Sequence, residues 1–194
     1  MDGDLLSVGN LTRHTLTIND VDKFKTVALA ERLNNINCHV RAKALTSYLN
    51  TSNLDVLDDY DVMIDCTAKD NVLELLSHLK KTKIICSVSV GYKAEKMYFL
   101  YYKGNQFTVN LFDQRVIEFT KQDKKKIIDD ELPWDGIGCW NPVFPAYSCD
   151  MQLAGTVATM AMTDLIKKND IGTKCFVYQK KYDESGIFMG YERI

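Results

Sequence analysis

Two short apolar runs with a helical pattern between them, in residues 60–91, constrain the fold more than any other feature of the chain. The runs YDVMIDCTA (60–68) and KIICSVSVG (83–91) are nearly continuous in apolar residues, which is typical of strands buried on both faces. Between them, DNVLELLSHLKK (70–81) repeats apolar residues at helical spacing. A strand, a helix and a second strand at such short intervals predict parallel strands joined by a right-handed crossover, and hence an α/β fold.

The residues before this unit extend the predicted sheet by one helix and one strand. DVDKFKTVALAERLNNIN (20–37) carries an apolar stripe at helical spacing, with Asp20 as a candidate N-cap. CHVRAKAL (38–45) alternates apolar and polar residues, which favours a strand. We therefore expect a parallel sheet with helices on both of its faces.

The second half of the chain has a different pattern. KMYFLYYKG (96–104) and NQFTVNLFD (105–113) are aromatic, alternating runs that meet at KGN, so they predict a β-hairpin. QLAGTVATMAMTDLIKK (152–168) predicts a long helix rich in small residues, and the tail predicts a second hairpin that turns at DESG (183–186). We interpret all 194 residues as one domain, elaborated by a β-rich insertion at 92–135.

Composition argues against several classes of partner. The net charge is −2 and the pI about 5.9, so we expect neither nucleic acid nor anionic lipid as a partner. No apolar stretch approaches the roughly 18 residues of a membrane span, which favours a cytoplasmic protein. The six cysteines form no C-x-x-C pair, which argues against a structural zinc site or a disulfide framework. The one basic cluster, KQDKKK (121–126), is expected to be a solvated helix end.

Two acidic residues in the opening stretch DGDLLSVGNLTRH (2–14) are candidate ligands of a nucleotide. A carboxylate at the carboxyl end of a parallel strand can bind a ribose, and Asp2 or Asp4 would suit that role. An exposed, frayed terminus explains the same two carboxylates, and spacing alone leaves both interpretations open.

Two basic residues further along could bind phosphate. Arg13 offers a planar fork to phosphate oxygens and Lys25 a point charge. Together they could stabilise charge that develops on the α-phosphate and on pyrophosphate. Lys25 falls in the first turn of its predicted helix, where the helix dipole disfavours a cation unless an anion lies nearby. Lys23 is in the same turn, so a pair of solvated lysines is the alternative.

Three more residues have a chemical and a structural interpretation. Asp70 follows a buried strand and could bind Mg²⁺, but it is also a natural N-cap for the next helix. Cys149 falls near the N-terminus of the long helix, where the dipole favours a nucleophilic thiolate. Cys139, between a glycine and a tryptophan, is either reactive or packed.

The order of these motifs resembles the ThiF/MoeB family, the ubiquitin-activating-enzyme-like adenylyltransferases. The family pattern runs from D-x-D and N-L-x-R-[QH] through D-[IV]-G-x-x-K to a strand ending in D-C-T-D-N. A strand running into a glycine follows, and then a cysteine-bearing crossover before a small-residue helix. The corresponding pieces here are DGD (2–4), NLTRH (10–14), DVDKFK (20–25), DCTAKDNV (65–72), SVSVG (87–91) and GCWNPVFPAYSCDMQLAG (138–155). The GCW-P-FPA version is most similar to the bacterial branch found in ubiquitin-like conjugation operons.

The resemblance implies ATP- and Mg²⁺-dependent adenylation of the C-terminal carboxylate of a ubiquitin-like or sulfur-carrier protein, followed in many members by acyl transfer to a cysteine. It implies that Asp2 binds the ribose with Asp4 beside it. The residues implied to contact the phosphates are Asn10, Arg13 and Lys25. Cys149 would occupy the crossover position, with Cys139 as the second candidate. Family members usually dimerise, so a homo- or hetero-oligomer is expected.

The chain departs from the family pattern in three places. Asp22 stands where the family has glycine, and Ala68 stands where it has the metal-binding aspartate, which leaves Asp70 for that role. The first strand, its glycine-rich turn and the next helix, a unit of roughly 30 residues, have no counterpart before Asp2. We therefore expect an incomplete Rossmann-like sheet whose missing unit was clipped, is supplied by another chain or has been replaced by a rearranged fold.

These departures keep a second function open. A site with Asp22 and Ala68 could belong to a non-catalytic partner that binds a ubiquitin-like protein or an active homologue without turning over ATP. A nicotinamide-dependent dehydrogenase is a distant third interpretation, because it would need the same glycine-rich turn.

Overall fold

A computed structural model describes residues 1–79, 81, 83–109, 114–129 and 146–194. In these ranges the chain forms a mixed five-stranded sheet whose strands are ordered as they occur in the chain. The strands are β1 (Val62–Asp65), β2 (Lys83–Val90), β3 (Lys96–Gly104), β4 (Gly172–Tyr182) and β5 (Phe188–Arg193). β1 and β2 are parallel, while the other neighbours pair antiparallel. The α/β prediction is confirmed, but the sheet is parallel only in its first pair.

Within the described residues, four α-helices accompany the sheet. They are α1 (Lys25–Asn34), α2 (Asp70–Ser77), α3 (Gln114–Asp129) and α4 (Ser148–Lys167). The helix α2 joins the parallel strands β1 and β2, so the predicted β–α–β unit is confirmed. None of the helices in the described ranges has the length and apolar content of a membrane span.

Helices cover both faces of the sheet, as expected. On one face, Leu73 and Leu76 of α2 pack against Ile85, Leu100 and Tyr102. On the same face, α3 adds a smaller cluster, formed by Val116, Tyr98 and Val177. On the opposite face, α4 contributes a second core, formed by Ala154, Ala158 and Leu165 against Cys86, Met97, Phe99 and Tyr101. Each large apolar side chain buried in this way contributes about 1.5–3 kcal/mol to folding.

The hairpin predicted at KGN is wrong. Lys96–Gly104 is the central strand, and its two edges pair with β2 and β4. No backbone groups of β3 are left for a hairpin partner, and the described residues that follow, 105–109, contain no strand. The segment 92–135 was predicted to be a β-rich insertion. Its described residues instead contain the central strand β3 and the helix α3.

The strand predicted at CHVRAKAL (38–45) is also wrong, because this segment is irregular. The backbone of this segment is hydrogen-bonded by side chains, where a strand would be hydrogen-bonded by a neighbouring strand. The carboxamide of Asn34 accepts the N–H of Ala42 at 2.7 Å and donates to the carbonyl oxygen of Ala42 at 3.0 Å. The guanidinium of Arg41 donates to the carbonyl oxygens of Cys38 and Val40.

The first helix begins later than predicted. The Asp20 carboxylate accepts the N–H and the hydroxyl of Thr17, both at 3.0 Å, and so closes a separate 3₁₀ turn, Ile18–Asp20. Asp20 is therefore not the cap of α1. By contrast, the hairpin predicted in the tail is confirmed, because β4 and β5 pair around DESG (183–186).

The KQDKKK cluster lies inside α3 and is not wholly solvated. The side chain of Asp123 is buried, and it accepts hydrogen bonds from Tyr98 at 2.7 Å and from Lys96 at 3.4 Å. Burial and the hydrogen bond to Asp123 both raise the pKa of Tyr98. This buried group attaches α3 to β3, close to Gly91.

Candidate functional site

The opening D-x-D segment is paired with the start of α1 and is not frayed. The N–H of Leu6 donates to the carbonyl oxygen of Lys23 at 2.8 Å, and the N–H of Asp22 donates to that of Leu6 at 2.9 Å. The N–H of Lys25 donates to the carbonyl oxygen of Asp4 at 3.0 Å. Leu6 is fully buried in a small apolar cluster with Leu16 and Ala28.

The Asp4 carboxylate is the centre of the site. Its Oδ2 lies 3.1 Å from Nζ of Lys25, and its Oδ1 accepts a hydrogen bond from the hydroxyl of Tyr48. Burial alone raises the pKa of Asp4, but the hydrogen bonds from Tyr48 and Lys25 outweigh it, so this pKa lies below its ordinary value. Asp4 is thus an anion beside the first turn of α1, where Lys25 needed one. Lys23 instead pairs with Asp20 at 3.3 Å.

Asn10 and Arg13 are both buried. The carboxamide oxygen of Asn10 accepts the N–H of Ser7 at 3.1 Å and its hydroxyl at 2.9 Å, so it closes the 3₁₀ turn Val8–Asn10. Arg13 follows on the next turn, with its N–H on the carbonyl oxygen of Asn10 and only 7% of its surface exposed. Asn10 thus has a structural role in the turn that presents Arg13.

His14 is the last residue of the NLTRH motif, and no role was assigned to it from the sequence. The charges of Lys25, Arg13 and Asp2 act on its imidazole. Burial lowers the pKa of His14, and the positive charges of Lys25 and Arg13 lower it further, against an opposing effect of Asp2. These charges therefore lie within interaction range of one imidazole. We call Asp2, Asp4, Arg13, His14 and Lys25 the N-terminal cluster.

The loop after β1 reaches the same cluster. Asp65 is buried at the end of β1, where it accepts the N–H and hydroxyl of Thr67 and the hydroxyl of Ser87 at 2.8 Å. These bonds fix the start of the loop that carries Lys69. The positive charge of Lys69 contributes to the lowered pKa of Asp4. The sequence interpretation missed Lys69, although its place after a buried parallel strand was a usable signal.

Asp70 is exposed and is the first residue of α2. The N-cap position belongs to Lys69, so the capping role considered for Asp70 is wrong. A carboxylate in the first turn still interacts favourably with the helix dipole. In the part of the chain that the structure describes, no group of three or more His, Cys, Asp or Glu side chains is arranged to hold a metal ion.

Of the two cysteine candidates, Cys149 is the second residue of α4 and is exposed. Among the described contacts, this turn is joined to β4 and to the turn at 92–94 rather than to the N-terminal cluster. One such contact is the ion pair of Asp150 with Lys180 at 2.8 Å. Cys139 lies outside the described residues.

The backbone has a positive φ at both residues that differ from the family pattern, although the family has glycine only at the position of Asp22. Asp22 has a φ of 67° and Ala68 a φ of 54°, both in the left-handed region that favours glycine. The N–H of Asp22 nevertheless makes its bond to Leu6, so the turn before α1 is intact.

Comparisons with known proteins identify the family of the chain. The ThiF family matches residues 1–183. The chain is 37% identical over 164 residues to the ATP-dependent ubiquitin transferase-like protein Cap2 of Enterobacter hormaechei subsp. hoffmannii (strain UCI 50), a match that covers 82% of the chain and 27% of Cap2.

A solved structure supports the fold alone. The crystal structure of selenomethionine-labelled PaaA aligns with a TM-score of 0.61 at 14% identity, over 100% of this chain and 63% of PaaA. The chain therefore spans less than two thirds of the length of either relative. Because the family match covers residues 1–183, the chain belongs to the ThiF family.

Proposed function

We propose that this chain takes part in ATP-dependent adenylation of the C-terminal carboxylate of a ubiquitin-like or sulfur-carrier protein. The observation that carries the proposal is the pairing of Asp4 with Lys25 at the start of α1. Family membership and the printed name of Cap2, a ubiquitin transferase-like protein, support it. An oligomer, with itself or with a homologue, and a cytoplasmic location belong to the same proposal.

The residues of the N-terminal cluster fit a nucleotide. The carboxylate of Asp2 is proposed to accept hydrogen bonds from the ribose hydroxyls, with Asp4 beside it. Arg13 and Lys25 supply positive charge for the phosphates, and Lys69 adds a third cation within range of Asp4. Arg13 is buried, so its guanidinium is held before a ligand arrives, and Asn10 supports the turn that carries it.

Arg13 and Lys25 would stabilise the negative charge that develops on the phosphates during the reaction. In adenylation, a carboxylate oxygen of the partner protein forms a bond to the α-phosphorus while the bond from that phosphorus to pyrophosphate breaks. Negative charge grows on the leaving pyrophosphate, and positive side chains fixed beforehand stabilise it most in the transition state. Arg13 and Lys25 are the residues proposed for this role.

Magnesium is proposed to enter with ATP, where it would neutralise phosphate charge. Asp70 is the residue proposed to meet it, because it is exposed and follows Lys69 directly. As a single carboxylate, it suits a metal that keeps several of its water ligands.

A second step, acyl transfer to a cysteine, is proposed at Cys149. Its thiolate would attack the acyl carbonyl of the adenylate, forming a thioester as AMP leaves with the electrons of the broken C–O bond. Cys149 suits this step because it is exposed and lies in the first turn of a 20-residue helix, whose N-terminus interacts favourably with negative charge. Cys139 stays the second candidate for this step.

A non-catalytic partner is the second candidate function. The observations that favour it are the extra carboxylate of Asp22 near Lys25 and the lack of a metal-ligating group among the described residues. Such a partner would bind the ubiquitin-like protein or an active homologue and leave ATP unchanged.

ATP–pyrophosphate exchange in the presence of candidate ubiquitin-like proteins separates the two functions. We expect exchange when the chain is joined to the glycine-rich strand–turn–helix unit that the family pattern has before Asp2. Arg13→Ala or Lys25→Ala should then lower that exchange at least a hundredfold. Lys23→Ala is the matched control, since Lys23 lies just before α1 but pairs with Asp20. Binding of a ubiquitin-like protein without any exchange would establish the non-catalytic partner instead.

A further inference from the structure

We propose that Tyr48 is a positioning residue of the nucleotide site, because its hydroxyl orients the Asp4 carboxylate that holds the Lys25 ammonium for the phosphates. The inference rests on the proposed function, in which Lys25 binds phosphate and Asp2 binds the ribose. It gives Asp4 a role of its own beside Asp2. It also adds a residue from a loop that carries none of the family motifs.

Tyr48 and Lys25 are connected through the two oxygens of Asp4. The Tyr48 hydroxyl donates to Oδ1, and Nζ of Lys25 lies 3.1 Å from Oδ2. Because each oxygen has its own donor, a turn of the carboxylate away from this orientation weakens both contacts. An ammonium group carries three N–H bonds, so Lys25 can keep its contact with Asp4 while it donates to phosphate oxygens. Tyr48 thus sets the direction in which Asp4 holds Lys25.

The backbone of Asp4 is fixed, whereas its carboxylate is not held by packing. The N–H of Lys25 donates to the carbonyl oxygen of Asp4 at 3.0 Å, and the N–H of Asp4 donates to Oδ1 of Asp2 at 2.9 Å. The side chain of Asp4 is 37% exposed, while that of Lys25 is only 15% exposed. The orientation of this carboxylate therefore depends on its hydrogen bonds, and Tyr48 supplies one of them.

Gly3 and the loop of Tyr48 bring the phenol to Asp4. A Cβ added at Gly3 would lie 2.9 Å from Cε2 of Tyr48 and 3.1 Å from both Cδ2 and Cζ. Such similar distances to three consecutive ring atoms mean that Gly3 lies over the face of the ring, where a side chain would push it away. The carboxamides of Asn50 and Asn53 donate to the carbonyl oxygen of Tyr48 at 3.1 and 2.9 Å. The ring is therefore presented to Asp4 from an anchored backbone.

Removing the hydroxyl alone tests the positioning role in the exchange assay described above. Tyr48→Phe keeps the ring over Gly3 but removes the hydrogen bond to Asp4. We expect the exchange rate at saturating ATP to fall about tenfold, the scale of one hydrogen bond to a charged group. In a Lys25→Ala background the same change should alter the rate by less than about twofold, because Tyr48 acts through Lys25. Tyr60→Phe, at an exposed tyrosine outside the N-terminal cluster, is the control and should leave the rate unchanged.

A carboxyl-labelled NMR titration checks the contact independently of activity. Burial raises the pKa of Asp4, but the hydrogen bonds from Tyr48 and Lys25 lower it by more, and the charge of Lys69 lowers it further. Loss of the phenol hydrogen bond should therefore raise the pKa of Asp4 in Tyr48→Phe. Tyr60→Phe should leave that pKa where it is, and an equal pKa in all three chains would overturn the contact.

The outcomes separate this inference from the proposed function. An unchanged exchange rate in Tyr48→Phe overturns the positioning role and leaves the nucleotide site in place. A loss of the same size with and without Lys25 does so too, because Tyr48 would then act by another route. Absence of exchange before any substitution is made overturns the proposed function and this inference together.

Discussion

Lys180 Nζ lies 2.8 Å from one carboxylate oxygen of Asp150, whose other oxygen accepts the N–H of Tyr147 at 2.9 Å. One side chain therefore caps α4 and joins it to β4. Lys180 also donates to the carbonyl oxygen of Lys93 at 3.4 Å. The same ammonium group therefore contacts both α4 and the turn that precedes β3. This ion pair thus attaches the first turn of α4, which presents Cys149, to the sheet, together with the packing of Met151 near Val90 of β2.

Asp150→Ala should lower the free energy of unfolding by about 3 kcal/mol, because it removes a helix cap and leaves Lys180 with an unpaired, largely buried charge. Urea denaturation at neutral pH measures the loss. Glu192→Ala is the matched control, since it breaks the pair of Lys181 with Glu192, whose side chains are 57% and 55% exposed. That change should cost less than about 1 kcal/mol. Equal losses for the two variants would contradict a special role for Asp150.

The same carboxylate should make stability depend on acid pH. Burial raises the pKa of Asp150, but the hydrogen bonds from Lys180 and Tyr147 lower it by more, so its folded pKa lies below the unfolded value of about 3.9. The stabilisation is therefore complete above that pH and is lost as the pH falls through the folded pKa. Asp150→Asn should be less stable than the natural chain near neutral pH, and the difference should shrink below about pH 3.9. A gap that stays constant in urea titrations from neutral to acid pH would refute the assignment.

Gly91→Ala should destabilise the chain by about 3 kcal/mol through a contact rather than through backbone strain. Gly91 has a φ of −83°, which alanine can adopt, but an added Cβ would lie 1.9 Å from the carboxylate of Asp123. The carboxylate would have to leave Tyr98 and Lys96. Gly155→Ala is the control, because nothing lies within 4 Å of its added Cβ. In the middle of α4 that change should stabilise by about 0.5–1 kcal/mol, and differential scanning calorimetry would show melting temperatures moving in opposite directions.

Asp22→Gly should stabilise the chain by about 0.5 kcal/mol, since glycine adopts the φ of 67° without the steric cost that a side chain meets there. Chemical denaturation of the variant tests this. Asp59→Gly, at an aspartate outside the left-handed region, should destabilise instead, because glycine loses more chain entropy on folding. Destabilisation by Asp22→Gly would mean that the aspartate side chain itself holds the turn.

The β–α–β unit could be predicted because its strands are nearly continuous in apolar residues and its helix is short and amphipathic. The expectation that both strands are buried on both faces is wrong for β1, in which Ile64 is 55% exposed. The central strand was assigned to a hairpin because its alternating aromatic residues match a half-buried strand equally well. Tyr98 and Tyr102 pack under one layer of helices and Phe99 and Tyr101 under the other. The second layer comes from α4, far along the chain, and a local pattern cannot reveal it.

Part of the candidate site could be predicted from the sequence and part could not. Asp4 and Lys25 could be predicted because a cation in the first turn of a helix calls for a nearby anion. Tyr48 could not, because its loop owes its shape to side-chain hydrogen bonds such as that of Asn34 with Ala42, which leave no periodic pattern. Gly3 was the signal available, since a glycine between two candidate aspartates suggests that something lies close to the backbone.

The strand order has a consequence for how the chain folds. β1, β2 and β3 are consecutive in both sequence and space, as are β4 and β5, but β3 ends at Gly104 and its other neighbour begins at Gly172. Pairing within each group closes short loops, whereas the union of β3 with β4 closes a loop that contains α3 and α4, at a greater entropic cost. We therefore expect two locally formed sheets to arise first and their joining along β3 to limit the rate of folding.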